Sequence, residues 1–101
     1  MYWETWRRPP FEGKLCKGKG SSYAYNSMNV QSVKLDGFPA FKYTDDHSKW
    51  GVSADGAQPW VCVGGMNRMQ SQLQRGGQAT CFKSSPLWAG FRLAIDAADS
   101  C

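Results

Sequence analysis

The 101-residue chain contains a single histidine, His47, which stands two residues before Lys49 in the run Asp45-Asp46-His47-Ser48-Lys49-Trp50. Residues i and i+2 of a strand point to the same side, so a strand here sets an imidazole beside an ammonium. Lys49 can then neutralise a phosphate oxygen while His47 attacks phosphorus or protonates the leaving oxygen. Farther along, Val63-Gly64-Gly65-Met66-Asn67 follows a strand-like segment. Two glycines let the backbone approach a phosphate closely, and Asn67 can donate a hydrogen bond to the anion that develops in the transition state. Each feature alone is commonplace: a His-x-Lys pair is usually an exposed strand face, and Gly-Gly before Asn is usually a turn. Their occurrence in this order, each beside a strand-like segment, favours phosphodiester chemistry at His47, Lys49 and Asn67.

Other residues contribute weaker signals. Arg68 and Arg75 flank this region and can bind phosphate, although structural ion pairing is as good a use for them. Trp50 and Trp60 can stack on bases, yet core packing suits both better. Gly13 to Gly20 approaches the phosphate-binding pattern G-x-x-x-x-G-K-[ST] but ends in Gly20 where Ser or Thr should hold magnesium, and a Pro-Pro pair precedes it instead of a strand. Residues 12–22 therefore read as a flexible basic Gly/Lys/Ser loop. Lys14, Lys17 and Lys19 can touch a nucleic-acid backbone from it, but a solvated loop is the simpler account.

The elements that would position these groups follow from periodicity. Alternation of aromatic and polar residues makes Tyr2–Trp6 a strand, ended by Arg7-Arg8-Pro9-Pro10. Val30–Leu35 alternates imperfectly and reads as a weaker strand or a short helix, and Asp36-Gly37 as a turn. His47–Val52 and Trp60–Val63 read as a hairpin turned at Ala54-Asp55-Gly56. Met66–Gln74 suits a short helix or loop, and Gln78–Phe82 a further strand after Gly76-Gly77. Ser84 or Ser85 can cap a helix with Pro86 at its first position. Leu87, Phe91, Ala94 and Ala98, with Trp88 and Ile95 beside them, then form one apolar face packing on a sheet.

The whole chain is short enough for one domain. Aromatic residues make up 14% and hydrophobic residues 42% of it, which supports a packed core and argues against disorder. Twelve basic against eight acidic residues leave a net charge of +4, permitting a polyanionic partner without demanding one. Cys16, Cys62, Cys81 and Cys101 show no C-x-x-C spacing and have one His among them, so a structural zinc site is disfavoured. An even count at wide spacing suits two disulfides and an oxidising compartment, with three pairings open. No run reaches the length of a membrane span. Met1–Pro10 lacks the apolar stretch of a signal peptide, so a signal was either removed or lies upstream; the second is favoured.

The run Asp45–Trp50 resembles the second His-x-Lys motif of the deoxyribonuclease II family. Trp60-Val61-Cys62-Val63-Gly64-Gly65-Met66-Asn67-Arg68 resembles that family's next block, as do Gln74-Arg75-Gly76-Gly77, Cys81 and the Pro86-Leu87-Trp88 helix start. The resemblance covers Asp45 to Cys101 in order and extends more loosely over Glu4 to Phe41, where Cys16 has a counterpart. It implies a C-terminal portion of the family and a phospholipase D-like fold of α+β or α/β class. That fold would be a partial half-sandwich with a mixed β-sheet, a C-terminal packing helix and two disulfides.

The same resemblance implies an acid endodeoxyribonuclease of lysosomal or secreted location that hydrolyses DNA without metal or other cofactor. In it, two His-x-Lys motifs meet: one His attacks phosphorus to give a phosphohistidine, the other protonates the leaving oxygen, and Lys and Asn hold the phosphate charge. One imidazole neutral and one protonated is easiest near about pH 6.5. His47 is then the catalytic histidine of the second half, with Lys49 and Asn67 as phosphate ligands. The implied disulfides are Cys62–Cys81 and Cys16–Cys101, whose loops contribute roughly 3 and 4–5 kcal/mol in the chain-entropy account.

Three departures stand out. Gly51 occupies a position where relatives often carry Cys. Gly65 replaces an acidic residue common before the Met. Above all, the first His-x-Lys motif is absent. The chain is therefore expected to be an inactive fragment, one chain paired with a separate N-terminal half, or a homodimer. The last is least favoured, since sheet edges would be exposed. A different functional class also remains: a truncated, non-catalytic module that binds DNA or another polyanion.

Overall fold

The computed structural model describes residues 1–11, 13–18 and 20–101. Seven strands form one mixed sheet: β1 (Tyr2–Glu4), β2 (Met28–Val33), β3 (Phe41–Lys42), β4 (Trp50–Val52), β5 (Trp60–Gly64), β6 (Ala79–Lys83) and β7 (Ile95–Ala98). Six of them run in the order β3-β2-β1-β4-β5-β6, and β7 pairs with β2. β1 and β2 are parallel, while every other pairing is antiparallel. Ser32 and Val33 pair with both β3 and β7, so those strands flank opposite edges of β2. The expected mixed sheet, packing helix and two disulfides are all present, with bonds Cys16–Cys101 and Cys62–Cys81.

Val30, Val33, Trp50, Val52 and Val61 make the buried core, closed by Phe82, Trp88, Phe91 and Ile95. Full burial of each valine is worth about 1.5–3 kcal/mol. The helix α1 (Ser85–Ala94) supplies the cover. Ser84 caps it, its hydroxyl accepting from the Leu87 amide, and Pro86 sits in the first turn where its missing N–H costs nothing. The Trp88 indole donates to the Ser53 carbonyl at 2.9 Å and fixes α1 over the β4–β5 turn.

Several boundaries differ from the sequence reading. The apolar pattern that continues to Ala98 predicts a longer helix, but α1 stops at Ala94 and Ile95–Ala98 turn into β7. The edge of β2 needs a backbone partner, and Asp96 and Asp99 reinforce the pairing by accepting from Ser32 and Gln31. The partly buried side of this segment is Trp88 and Phe91 of α1 with Ile95 at the start of β7, and Leu87 is half exposed. β1 ends at Glu4, short of Trp6, and the segment 66–74 contains only a single 3-10 turn, Gln70–Gln72.

The reading of 12–22 as a flexible loop meets several ties. Leu15 exchanges backbone hydrogen bonds with Ser27 at 2.7 Å, Lys17 N–H donates to Asn26, and Lys14 donates to the Ser100 carbonyl. Glu12 and Lys19, part of that basic loop, lie outside the described residues. Among the described residues no helix is long and apolar enough to cross a membrane.

Candidate active site

Register assigns the two faces of the sheet. Glu4 pairs with Trp50 and Tyr2 with Val52, so these side chains share the face that α1 covers. Trp3 pairs with Gly51, which in turn pairs with Cys62, and Cys62 with Cys81. That second face carries the disulfide and no helix. Trp3 lies across Gly51 so closely that a Cβ there would overlap the indole. Lys49, two residues before Gly51, belongs to this open face.

A cleft of about 290 Å³ opens there, with Trp3, Thr5, Lys49, Met66, Asn67 and Gly77 among its walls. Lys49 stays in ladder geometry because its carbonyl accepts from the Gly64 amide at 3.0 Å. The Gly65 amide donates to Gln78 at 3.0 Å, which turns the chain out of β5 and carries Asn67 to the cleft. Oδ1 of Asn67 is buried and has no hydrogen-bond partner among the described residues. Because the two ends of an amide exchange by a flip, either can be turned to a ligand. Gly77 leaves room for the Met66 side chain, which a Cβ would strike. Lys49 and Asn67 are thus brought into one cleft.

His47 is placed differently from the strand expectation. The strand predicted over His47–Val52 begins only at Trp50. β1 ends opposite Trp50 at Glu4, so residues 47 and 48 have no neighbouring strand among the described residues, and Asp46 instead accepts from the Ser48 amide in a local turn. The imidazole is exposed and is not a wall of the cleft; it stacks on Trp6 with centroids 4.6 Å apart and planes at 28°. Lys49 still bridges the two, its ammonium donating to the His47 carbonyl at 2.8 Å.

The remaining candidates separate by environment. Arg68 lines the cleft, but its guanidinium donates to Ser27 and to the Gly13 carbonyl, each at 3.1 Å, so it braces the loop. Arg75 is exposed, donates to Gln72 and is not among the cleft walls. Trp50 also contributes to the cleft wall, but it is 6% exposed and its ring packs against Phe91 in the core. Core packing suits Trp60 on sequence grounds, yet it is 40% exposed under the Lys83 ammonium, because it starts an outer stretch of β5 on the face without a helix. Among the described residues no group of three or more His, Cys, Asp or Glu is arranged to hold a metal ion.

Sequence reasoning overlooked the segment Glu4–Arg8. Glu4 is fully buried, with both oxygens lacking a hydrogen bond of good geometry. Burial, and then the Asp46 carboxylate, push its carboxyl up to about 8, against the smaller opposing pull of Arg7 and the Thr5 amide. Arg7 is buried too; it donates to the Thr5 and Val30 carbonyls and stacks over Tyr43 at 4.1 Å, and burial lowers its pKa. The available signal was a carboxylate sharing the alternating face of Tyr2 and Trp6.

The sequence model of the Deoxyribonuclease II family matches residues 1–101. The chain is 44% identical to Deoxyribonuclease-2 of Caenorhabditis elegans over 91 residues, 87% of this chain and 22% of that protein. It is 35% identical to Plancitoxin-1 of Acanthaster planci over 101 residues, the full chain and 27% of that protein. With Deoxyribonuclease-2-alpha of Rattus norvegicus it shares 46% identity over 63 residues, 62% of this chain and 17% of the relative. The chain thus spans about a quarter or less of the length of these relatives. No solved structure matches it significantly.

Proposed function

The chain belongs to the deoxyribonuclease II family, and from that premise we propose that it is the C-terminal catalytic portion of an acid endodeoxyribonuclease. Lys49 and Asn67 grip the non-bridging oxygens of a DNA phosphodiester, and His47 does the covalent or proton-transfer work beside them. As nucleophile, a His47 ring nitrogen forms a bond to phosphorus while the P–O ester bond breaks. A second imidazole protonates the departing oxygen, and water then cleaves the phosphohistidine. No metal takes part in this scheme.

A single histidine in the chain means the second imidazole comes from elsewhere. The sources are the remaining part of a longer polypeptide, a separate chain, or a second copy. The observation that carries the reading is that Lys49 and Asn67, whose Oδ1 has no hydrogen-bond partner among the described residues, line one cleft, with the Lys49 ammonium on the His47 carbonyl. A phospholipase D-like half-sandwich is the architecture this reading implies. Two disulfides in 101 residues fit an oxidising, lysosomal or secreted setting.

The single imidazole outside the cleft favours a second reading, a non-catalytic module that holds DNA or another polyanion. Plasmid DNA incubated with the purified chain at pH 5 in excess chelator separates them. Nicking that disappears in His47→Ala supports the nuclease portion. No nicking supports a fragment that needs its second imidazole from elsewhere, and salt-sensitive binding left unchanged by His47→Ala supports the module.

A further inference from the structure

We propose that Trp6 is the positioning residue for His47, fixing the plane of the imidazole by stacking and leaving both ring nitrogens free; this rests on the nuclease reading above. Histidines that act in catalysis are commonly oriented by a hydrogen bond to one ring nitrogen, which also fixes the tautomer. Here neither His47 nitrogen has a hydrogen-bond partner among the described residues. What holds the ring is the indole of Trp6, at 4.6 Å and 28°.

The indole is itself anchored. Its N–H donates to the Thr44 carbonyl at 3.0 Å, across 38 residues of sequence, so the platform belongs to the 3-10 turn that leads into His47. The Arg8 guanidinium lies over the same indole, 4.3 Å from its centroid, and adds a second contact that holds the plane. Trp6 follows directly on Thr5, a wall of the cleft whose hydroxyl accepts from the Arg68 amide.

The chemistry explains why a stack suits this site. An imidazole that attacks phosphorus, or passes a proton to oxygen, uses the nitrogens at its edge. A carboxylate or carbonyl partner would occupy one of them. A flat aromatic surface constrains the ring through its face and occupies neither. An aromatic pair biases a conformational ratio roughly 2- to 10-fold, enough to matter where reacting atoms must meet within a fraction of an ångström.

Because His47 is the chain's single histidine, its ring protons can be read without ambiguity. In the 101-residue protein, the two carbon-bound imidazole protons are expected to be displaced by the indole ring current. They should move toward free-histidine positions in Trp6→Leu and only part of the way in Trp6→Phe. Acylation of the imidazole by diethyl pyrocarbonate should quicken roughly 2- to 10-fold in Trp6→Leu, the inverse of the stacking bias. Unchanged ring protons in a Trp6→Leu protein that keeps the wild-type backbone amide spectrum would overturn the proposal.

In plasmid nicking, Trp6→Leu should lower kcat roughly 2- to 10-fold with KM nearly unchanged, and Trp6→Phe should recover part of it. A loss confined to KM would also overturn it. If the wild-type chain does not nick DNA, it lacks the second imidazole that the nuclease reading requires, and the ring-proton measurement alone decides whether Trp6 orients His47.

Discussion

Glu4 shows at the scale of one residue how burial sets chemistry. Its carboxyl lies inside the protein beside Asp46 and Arg7 and keeps its proton up to about pH 8. In the unfolded chain a glutamate releases that proton near 4.3. Between these limits the folded state holds the extra proton, so stability declines as pH rises; below the lower and above the upper limit Glu4 adds no slope. The protein is thus expected to be more stable toward urea at pH 5 than at pH 8, by on the order of 2–4 kcal/mol. Glu4→Gln should flatten that dependence and raise stability at pH 8. A wild-type unfolding midpoint constant from pH 5 to pH 8 would remove the assignment.

Among the elements, the contact between β1 and β4 shapes the open face. Trp3 fills the space above Gly51 that a side chain would otherwise take. Gly51→Ala should therefore cost about 1–3 kcal/mol by overpacking, and Trp3→Ala in the same chain should relieve most of that loss. A double-mutant cycle in urea unfolding measures the coupling; additive effects would mean the indole moves aside freely.

The hairpin of β4 and β5, the strand near 78–82 and the helix start at Ser84 were legible because each is local, written in alternation, turn residues or a cap. The turn of the chain from α1 into β7 was not, since Ile95 and Ala98 fit a helical stripe equally well and only the free edge of β2 decides between them. At the site, His47, Lys49 and Asn67 were legible as residue types at suggestive spacing. The departure of His47 from the ladder was not, because it depends on β1 stopping opposite Trp50, a fact of register between segments some 45 residues apart. Trp6 went unnoticed for the same reason: its partners, Thr44 and His47, are distant in sequence.

For the whole molecule, one face of the sheet is closed by α1 and the other carries the cleft, so core and cleft occupy opposite sides. The disulfide between Cys16 and Cys101 spans 85 residues of separation and joins the basic loop to the end of the chain. A protease cut anywhere from residue 17 to residue 100 should leave both pieces migrating as one band on a denaturing gel without reductant, and as two after reduction. Two bands without reductant would exclude this pairing.

The ring that this bond closes leaves out the first fifteen residues. Yet those residues contain β1, which lies between β2 and β4 in the middle of the sheet, and also Trp3, Glu4 and Trp6. The interior strand is therefore the one part of the molecule that no cross-link secures. Severing the backbone before Cys16 would turn it into a peptide ligand of the remaining protein, docked by ladder hydrogen bonds and the packing of Tyr2 and Trp3. Its departure would remove in one step the wall of the cleft, the buried acid and the surface on which the imidazole rests.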